Sequence, residues 1–317
     1  MPRNWMRRAV LALACASATL LVACGEGTIE SALVPSRYIA FGDGFSDVGQ
    51  AGTRYTVNDG GVTIWWEQLA AGFGAGVKAA SAGGTGYAQG NARILLKPDL
   101  LGSNTTPTVK EQVDAFLASN TIGANDLYIL SGGISDIVYQ MNAVTAGTLS
   151  GTEMVANAQQ AGRDLGAQVR RLVDAGASYV SVPGVYNLGV TPFAASIGQG
   201  ALLTEASSKF NEALLVSIVD LGAKVLYYDA AYYFNLLSAQ PGTYSFDSST
   251  VMACNSVDAG VGIGIGRGQV SSRLCTPSTI ISGADYNRYL FADGLYLTPQ
   301  AQRLFGDFAH TRLKARW

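Results

Sequence analysis

Four short apolar runs recur along the chain, and each opens into a turn rich in glycine, aspartate or proline. They cover residues 38–41, 127–130, 179–182 and 224–228. Runs of this length that are mostly β-branched or aromatic are typical of strands buried on both faces of a sheet. The pattern therefore predicts four buried strands.

Between these runs, apolar residues recur at the spacing of amphipathic helices. Residues 153–174 and 202–221 each place one apolar face toward a core. Gly162 lies on that face of the first helix, where it costs about 1 kcal/mol relative to alanine unless it lets the helix pack closely against the sheet. Thr298 and Pro299 resemble the N-cap and first residue of a last helix.

The alternation of strand and helix decides the expected fold. It predicts an α/β protein, a three-layer α/β/α sandwich with a parallel sheet. In such a fold the ligand site lies at the carboxyl ends of the strands. We expect one domain over residues 37–317, preceded by a linker over residues 24–36.

The first residues look like a bacterial lipoprotein signal. Arg3, Arg7 and Arg8 precede an apolar stretch, which ends in Leu-Val-Ala before Cys24. The resemblance implies a signal peptide over residues 1–23, with Cys24 lipidated as the first mature residue and anchored in the membrane. The alternative is an ordinary signal peptide cut near Ala23. Either reading predicts export, and the glycine after Cys24 favours a lipid anchor in the outer membrane, facing the periplasm.

Charge and cysteine content limit the possible partners. Removing the three signal arginines leaves 18 Lys and Arg against 23 Asp and Glu, a net charge of about −5. Without basic clusters, the chain is not expected to bind nucleic acid. Beyond Cys24 only Cys254 and Cys275 remain, which in an exported protein form either a disulfide or two free thiols. His310 is the only histidine, so a histidine-rich metal site is excluded, and no cofactor is expected.

The turn after the first strand contains the motif that points to a family. Phe-Gly-Asp43-Gly44-Phe-Ser46-Asp-Val-Gly resembles the first block of SGNH, or GDSL, esterases and lipases, Gly-Asp-Ser-Leu-Ser-Asp-x-Gly. In that family the serine after Gly-Asp is the nucleophile, and Gly44 occupies its position. Ser46 matches a second, noncatalytic serine. It is interpreted as a turn residue, the alternative being a substitute nucleophile.

Three further sequence blocks are similar to motifs of the same family. Each has a different residue at one of the positions that are functional in the family. Residues 86–93 place Asn91 at the oxyanion glycine, with Gly90 one residue away. Residues 126–136 place Ser135 at the asparagine. The stretch 291–299 keeps Asp293, which in the family orients the histidine base, but has Tyr296 at that histidine. A literal Gly-x-Asn-Asp at residues 123–126 precedes its strand and so lies at the wrong end of the sheet.

The resemblance implies an SGNH-hydrolase fold of the flavodoxin-like type. It also implies that Gly44, Asn91, Ser135 and Tyr296 are vestigial active-site positions. A triad needs a nucleophile, a base and oxyanion donors, and a tyrosine with an ordinary pKa near 10 is a poor base. The favoured hypothesis is a catalytically inactive homologue that keeps a cleft for an acyl, ester or acetylated-glycan ligand. The alternatives are an ester hydrolase using non-standard residues and an envelope scaffold whose protein partner is unknown.

Overall fold

A computed structural model describes residues 33–317. The signal peptide, Cys24 and most of the predicted linker lie outside the described residues. Leu33 is buried in the hydrophobic core, and Ser36 N donates to Asn125 O at 2.8 Å. None of the helices in this part of the chain combines the length and apolarity that crossing a membrane requires.

A parallel sheet of four strands forms the centre of the fold. Its strands follow the order β1-β2-β3-β4, with neighbouring pairs parallel throughout, and the two remaining strands pair with each other in a small second sheet. The strands are β1 Arg37–Phe41, β2 Asp126–Leu130, β3 Tyr179–Pro183, β4 Val225–Tyr228, β5 Ser248–Met252 and β6 Tyr289–Phe291. All four strands predicted from the sequence are present.

Two groups of helices flank the sheet. Helix α1 packs against α8, which contacts β4, whereas α4 packs against α2, α3 and α6 and contacts β3. The helices are α1 Trp65–Ala71, α2 Val109–Ser119, α3 Ile134–Thr145, α4 Gly151–Asp174, α5 Pro192–Ser196, α6 Gly200–Ile218, α7 Ala230–Ala239 and α8 Pro299–Arg316. The predicted α/β class and the last helix are confirmed.

Local sequence signals set where several helices begin. Glu153 N donates to Ser150 Oγ at 3.2 Å while Ser150 N donates to Glu153 Oε2, a capping box that satisfies free amides at the start of α4. Thr298 caps α8 with Pro299 at its first position. Gly162 does not pack against the sheet, as the sequence suggested it could, because a Cβ there would meet Phe210 O of α6. It permits close helix–helix contact rather than contact with the sheet.

Candidate active site

The four positions that differ from the family motif lie near the carboxyl ends of β1 and β2 and in the loop after β6. Gly44 follows β1, Ser135 lies in the first turn of α3, and Tyr296 precedes α8. Asn91 follows a segment that runs beside β1, where Tyr87 N donates to Ala40 O at 2.7 Å. The topology thus brings the motif-derived positions to the edge of the sheet where the sequence predicted a site.

Gly44 and Tyr296 face each other directly. A Cβ added at Gly44 would lie 2.6 Å from the Tyr296 hydroxyl oxygen and 2.8 Å from Cζ. Tyr296 is fully buried, and its hydroxyl has no hydrogen-bond partner among residues 33–317. Burial raises the pKa of this phenol well above its ordinary value, so the hydroxyl stays protonated. The Tyr296 ring therefore fills the space that a serine side chain at position 44 would need.

A second tyrosine, Tyr55, packs against Tyr296 in the same space, and no sequence motif marks it. The Tyr55 ring centroid lies 4.8 Å from that of Tyr296, and Asn91 Nδ2 donates to the Tyr55 hydroxyl at 3.0 Å. Gly90 leaves the space for Tyr55, because a Cβ at Gly90 would overlap its ring. Asn91 has φ 67°, in the left-handed region that asparagine tolerates. We call Gly44, Tyr55, Gly90, Asn91 and Tyr296 the aromatic plug.

Asp293, the residue that matches the family's catalytic aspartate, binds backbone amides. Its Oδ1 accepts from Leu295 N at 2.8 Å and from Tyr296 N at 2.6 Å, and its Oδ2 accepts from Ser272 N at 2.7 Å. The carboxyl is fully buried, and burial raises its pKa. Asp293 therefore holds the turn that positions Tyr296 and fixes the neighbouring loop, and it has no imidazole to orient.

Asp43 ties the turn after β1 to the start of α3. Its Oδ2 accepts from Ile134 N at 3.0 Å and Ser135 N at 3.4 Å, and its Oδ1 accepts from Phe45 N at 3.1 Å. Burial raises the pKa of Asp43 to about 6 despite these bonds. The Ser135 hydroxyl is buried and makes no hydrogen bond within the described part of the chain. Ser135 Oγ is therefore a buried hydroxyl whose hydrogen-bonding capacity is unused within residues 33–317.

Ser46 and His310 do not form a substitute pair. Ser46 is fully buried, with its Oγ accepting from Trp65 Nε1 at 3.0 Å and from Ser131 Oγ at 2.8 Å. His310 lies on α8, where its ring centroid is 4.6 Å from that of Phe73 and its pKa is lowered by burial. No imidazole or carboxylate hydrogen-bonds Ser46 among residues 33–317, so nothing there is placed to deprotonate it.

One cavity adjoins the aromatic plug, and a second lies next to that cavity. The first, of about 210 Å³, is lined by Tyr55, Asn91 and Arg273 together with other mostly polar residues. The second, of about 420 Å³, is a groove lined mainly by apolar residues, with three polar ones at its wall: Leu100, Phe193, Ile197, Val261 and Ile265, with Asn142, Thr145 and Arg267. Leu101 lines both, so a more polar compartment and a more apolar one lie side by side. No group of three or more His, Cys, Asp or Glu side chains within residues 33–317 is arranged to hold a metal ion.

Four motif blocks in this order, with their residues gathered at the carboxyl ends of the strands, are typical of a class of α/β ester hydrolases. The chain belongs to the GDSL-like lipase/acylhydrolase family, whose model matches residues 38–308. A protein of Pseudomonas putida described as an uncharacterized protein in the trpE-trpG intergenic region is 27% identical over 197 residues, which make up 61% of this chain. The matched region spans 29% of that relative, so less than a third of its length is shared.

Two solved structures share the general architecture at low sequence identity. A carbohydrate acetylesterase from Sinorhizobium meliloti is 15% identical, with a TM-score of 0.45 over 89% of this chain and 99% of the other. A phospholipase A1 from Streptomyces albidoflavus is also 15% identical, with a TM-score of 0.42 over 89% of this chain and 100% of the other.

Proposed function

We propose that this protein is a noncatalytic member of the GDSL family, exported as a lipoprotein, that binds an O-acylated, hydroxyl-rich molecule without hydrolysing it. An acetylated glycan is the simplest ligand of this type. One observation carries the proposal: the Tyr296 hydroxyl lies 2.6 Å from the point where a side chain at position 44 would begin. The position that would attack an ester is therefore both empty of a nucleophile and closed.

The state of the neighbouring groups supports the absence of turnover. Nucleophilic catalysis needs a base within hydrogen-bond reach of the attacking oxygen. Tyr296 is a buried phenol whose pKa is raised, so it does not accept a proton near neutral pH. The carboxylate oxygens of Asp293 are held by three backbone amides. Among residues 33–317, neither of these two groups is therefore placed to carry a proton from an attacking hydroxyl to a leaving group.

The paired cavities support the ligand class. The polar compartment offers the Arg273 guanidinium and the Gln89 amide, which suit hydroxyl and carbonyl oxygens. The groove beyond Leu101 offers aliphatic and aromatic surface that suits an acyl group. An ester that joins a polyol to an acyl group presents both kinds of surface. A purely apolar lipid would leave the polar compartment unsatisfied.

Hydrolysis is tested with p-nitrophenyl acetate and butyrate. We expect wild type to show no turnover above that of a noncatalytic control protein, and no labelling by a fluorophosphonate. The combined variant Gly44→Ser, Asn91→Gly, Ser135→Asn and Tyr296→His restores the family residues as a unit. We expect measurable hydrolysis from it, because catalytic groups that act together are strongly non-additive. Wild-type turnover abolished by Ser46→Ala would contradict the noncatalytic assignment.

Ligand binding is tested separately by thermal shift with acetylated xylo-oligosaccharides and their deacetylated counterparts. A ligand that binds only the folded state raises Tm with its concentration. We expect the acetylated form to give the larger shift, and Arg273→Ala to reduce it. Equal shifts with the two forms, or no shift with either, would contradict the proposed ligand class while leaving the noncatalytic assignment intact.

A further inference from the structure

A cavity distinct from the aromatic plug lies beside the carboxyl ends of β3 and β4. It measures about 520 Å³ and is larger than either cavity lined by Leu101. Asn187 enters it from the loop after β3, Tyr227 and Asp229 from the end of β4, and Ser208 from α6. It shares no lining residue with the cavities that adjoin Leu101.

The lining offers hydrogen-bonding groups that the protein itself leaves available. Within residues 33–317, neither the Tyr227 hydroxyl nor Ser208 Oγ makes a hydrogen bond. Asn235 uses only its Oδ1, which accepts from Asn187 Nδ2 at 3.3 Å. Asp229 Oδ1 accepts from Tyr232 N at 2.9 Å at the start of α7, which leaves Oδ2 free. Donors and acceptors from three elements thus converge on one space.

Gly184 makes the position of Tyr227 possible. A Cβ at Gly184 would overlap the Tyr227 hydroxyl and lie 2.7 Å from Asn211 Oδ1. The Asn211 amide is fixed from both sides, since Val185 N donates to its Oδ1 at 2.8 Å and its Nδ2 donates to Val185 O at 2.7 Å. Tyr227 is therefore held against a rigid loop, with one part of its ring facing the cavity.

The charges of the lining restrict the ligand. Asp229 and Glu212 contribute carboxyl groups, and no lysine or arginine is among the described lining residues. Lys209 pairs with Glu212 at 2.7 Å from outside the lining. A phosphate, sulfate or uronate would meet the Asp229 carboxylate, which forms no ion pair among residues 33–317, and this disfavours anions. The exposed lining also includes apolar surface from Leu215, Ala231 and the Tyr227 ring, so the ligand must present apolar surface beside its polar groups.

We propose that this cavity binds a neutral saccharide unit, with the Tyr227 ring as an apolar platform and with the Tyr227 hydroxyl, Ser208, Asp229 and Asn235 as partners for its hydroxyl groups. Carboxylates and amides suit adjacent sugar hydroxyls because they accept or donate two hydrogen bonds in one plane. The site requires no ester on the ligand and does not depend on the aromatic plug. It would give the protein a second contact on the same glycan or on a neighbouring one.

The experiment is isothermal titration with neutral oligosaccharides of glucose, galactose, mannose and N-acetylglucosamine, alongside a trigalacturonate probe of matched size. We expect millimolar or tighter binding of a neutral member and at least about tenfold weaker binding of the uronate. Tyr227→Phe and Asn235→Ala each remove hydrogen bonds, so each is expected to weaken the neutral ligand about 3- to 10-fold. An unchanged Tm would show that these variants fold.

Tyr139→Phe is the matched control, since it makes the same change as Tyr227→Phe at a tyrosine that lines none of these three cavities. It is expected to leave the neutral-sugar affinity unchanged. Loss of binding in Arg273→Ala with retention in Tyr227→Phe would place the sugar at the plug and overturn the inference. Equal affinity for the uronate, or no neutral binding at millimolar concentration, would also overturn it. Neither result bears on whether wild type hydrolyses esters.

Discussion

At the scale of single residues, the changes at positions 44 and 296 are one structural change rather than two. The Tyr296 ring occupies its place only because Gly44 has no side chain. The same relation holds between Tyr55 and Gly90. Each of these two glycines therefore lies against an aromatic ring that fills the space a side chain would need. Close packing of this kind makes both glycine positions sensitive to added volume.

Gly44→Ser is expected to destabilise the fold without creating activity. The new Cβ would lie 2.6 Å from the Tyr296 hydroxyl, and overpacking of this kind costs about 1–3 kcal/mol. Chemical denaturation measures the change in the free energy of unfolding. Gly76→Ser is the matched control, because nothing lies within 4 Å of a Cβ there.

A double-mutant cycle measures the interaction between positions 44 and 296. Tyr296→His, with a smaller ring, is expected to recover part of the stability lost in Gly44→Ser, which makes the two effects non-additive. Strict additivity of the two free-energy changes would show that the side chains do not compete for one space.

Asp43 gives a pH dependence with a defined sign. Its pKa is raised from 3.8 to about 6 in the folded state, so the folded protein holds this proton more tightly than the unfolded chain. The resulting stabilisation is complete below pH ~4 and is lost as pH rises through ~6, with a total of at most about 3 kcal/mol. Asp136, whose pKa is also raised to about 6, acts in the same direction.

We expect urea unfolding between pH ~4 and ~6.5 to show stability falling as pH rises, and Asp43→Asn to flatten that slope. Asp126→Asn is the control, because the pKa of Asp126 is lowered by Arg37, and its contribution is lost only as pH falls below ~4. A slope that is the same in wild type and Asp43→Asn would show that Asp43 does not titrate in this range.

At the scale of elements, the sequence was sufficient for the four strands of the central sheet and for helices α4, α6 and α8, but not for β5, β6 or what fills the site. The apolar runs locate β1 to β4 because both faces of each strand are buried. Motif spacing located Gly44, Asn91, Ser135 and Tyr296. Tyr55 could not be found in this way, because it lies in a loop with no motif and reaches the site through tertiary packing over Gly90.

The order of elements along the chain does not determine which strands pair or which helices pack together. The strand order and the pairing of β5 with β6 depend on contacts between distant segments. Gly162 lies against α6 and not against the sheet. Helical periodicity shows which face of a helix is buried, but it does not show which element covers that face.

The Cys254–Cys275 disulfide, present in the structure, is expected to stabilise the loop beside the plug. It closes a segment of 21 residues that carries Ser272, whose amide N donates to Asp293. On the chain-entropy estimate, replacing both cysteines by alanine costs about 3 kcal/mol. Calorimetry should show a lower Tm with an unchanged far-ultraviolet spectrum. A Tm equal to that of wild type would show that the bond does not constrain the loop.

At the scale of the whole molecule, the chain enters the domain at the end opposite the candidate site. Ser36 N donates to Asn125 O just before β1 and β2 begin, and Leu33 N donates to Trp317 O. The plug lies where β1 and β2 end. A lipid anchor at Cys24 would therefore join the domain at the amino edge of the sheet, opposite the plug.

Cys24→Ala is expected to leave an unlipidated precursor, and globomycin is expected to leave an unprocessed precursor in wild type. Membrane fractionation and mass spectrometry of the mature chain measure the outcome. A mature wild-type protein that is free of acyl groups and soluble would favour the ordinary signal peptide and remove the anchor from the proposal.

The reciprocal fit of Gly44 and Tyr296 constrains how these two positions can change. Serine cannot be accommodated at position 44 while tyrosine occupies position 296, because its Cβ would lie 2.6 Å from the Tyr296 hydroxyl oxygen. Exchanging the tyrosine first leaves a cavity in a buried core. Each single exchange therefore passes through a less stable protein, so a stable variant at this site must change both residues together.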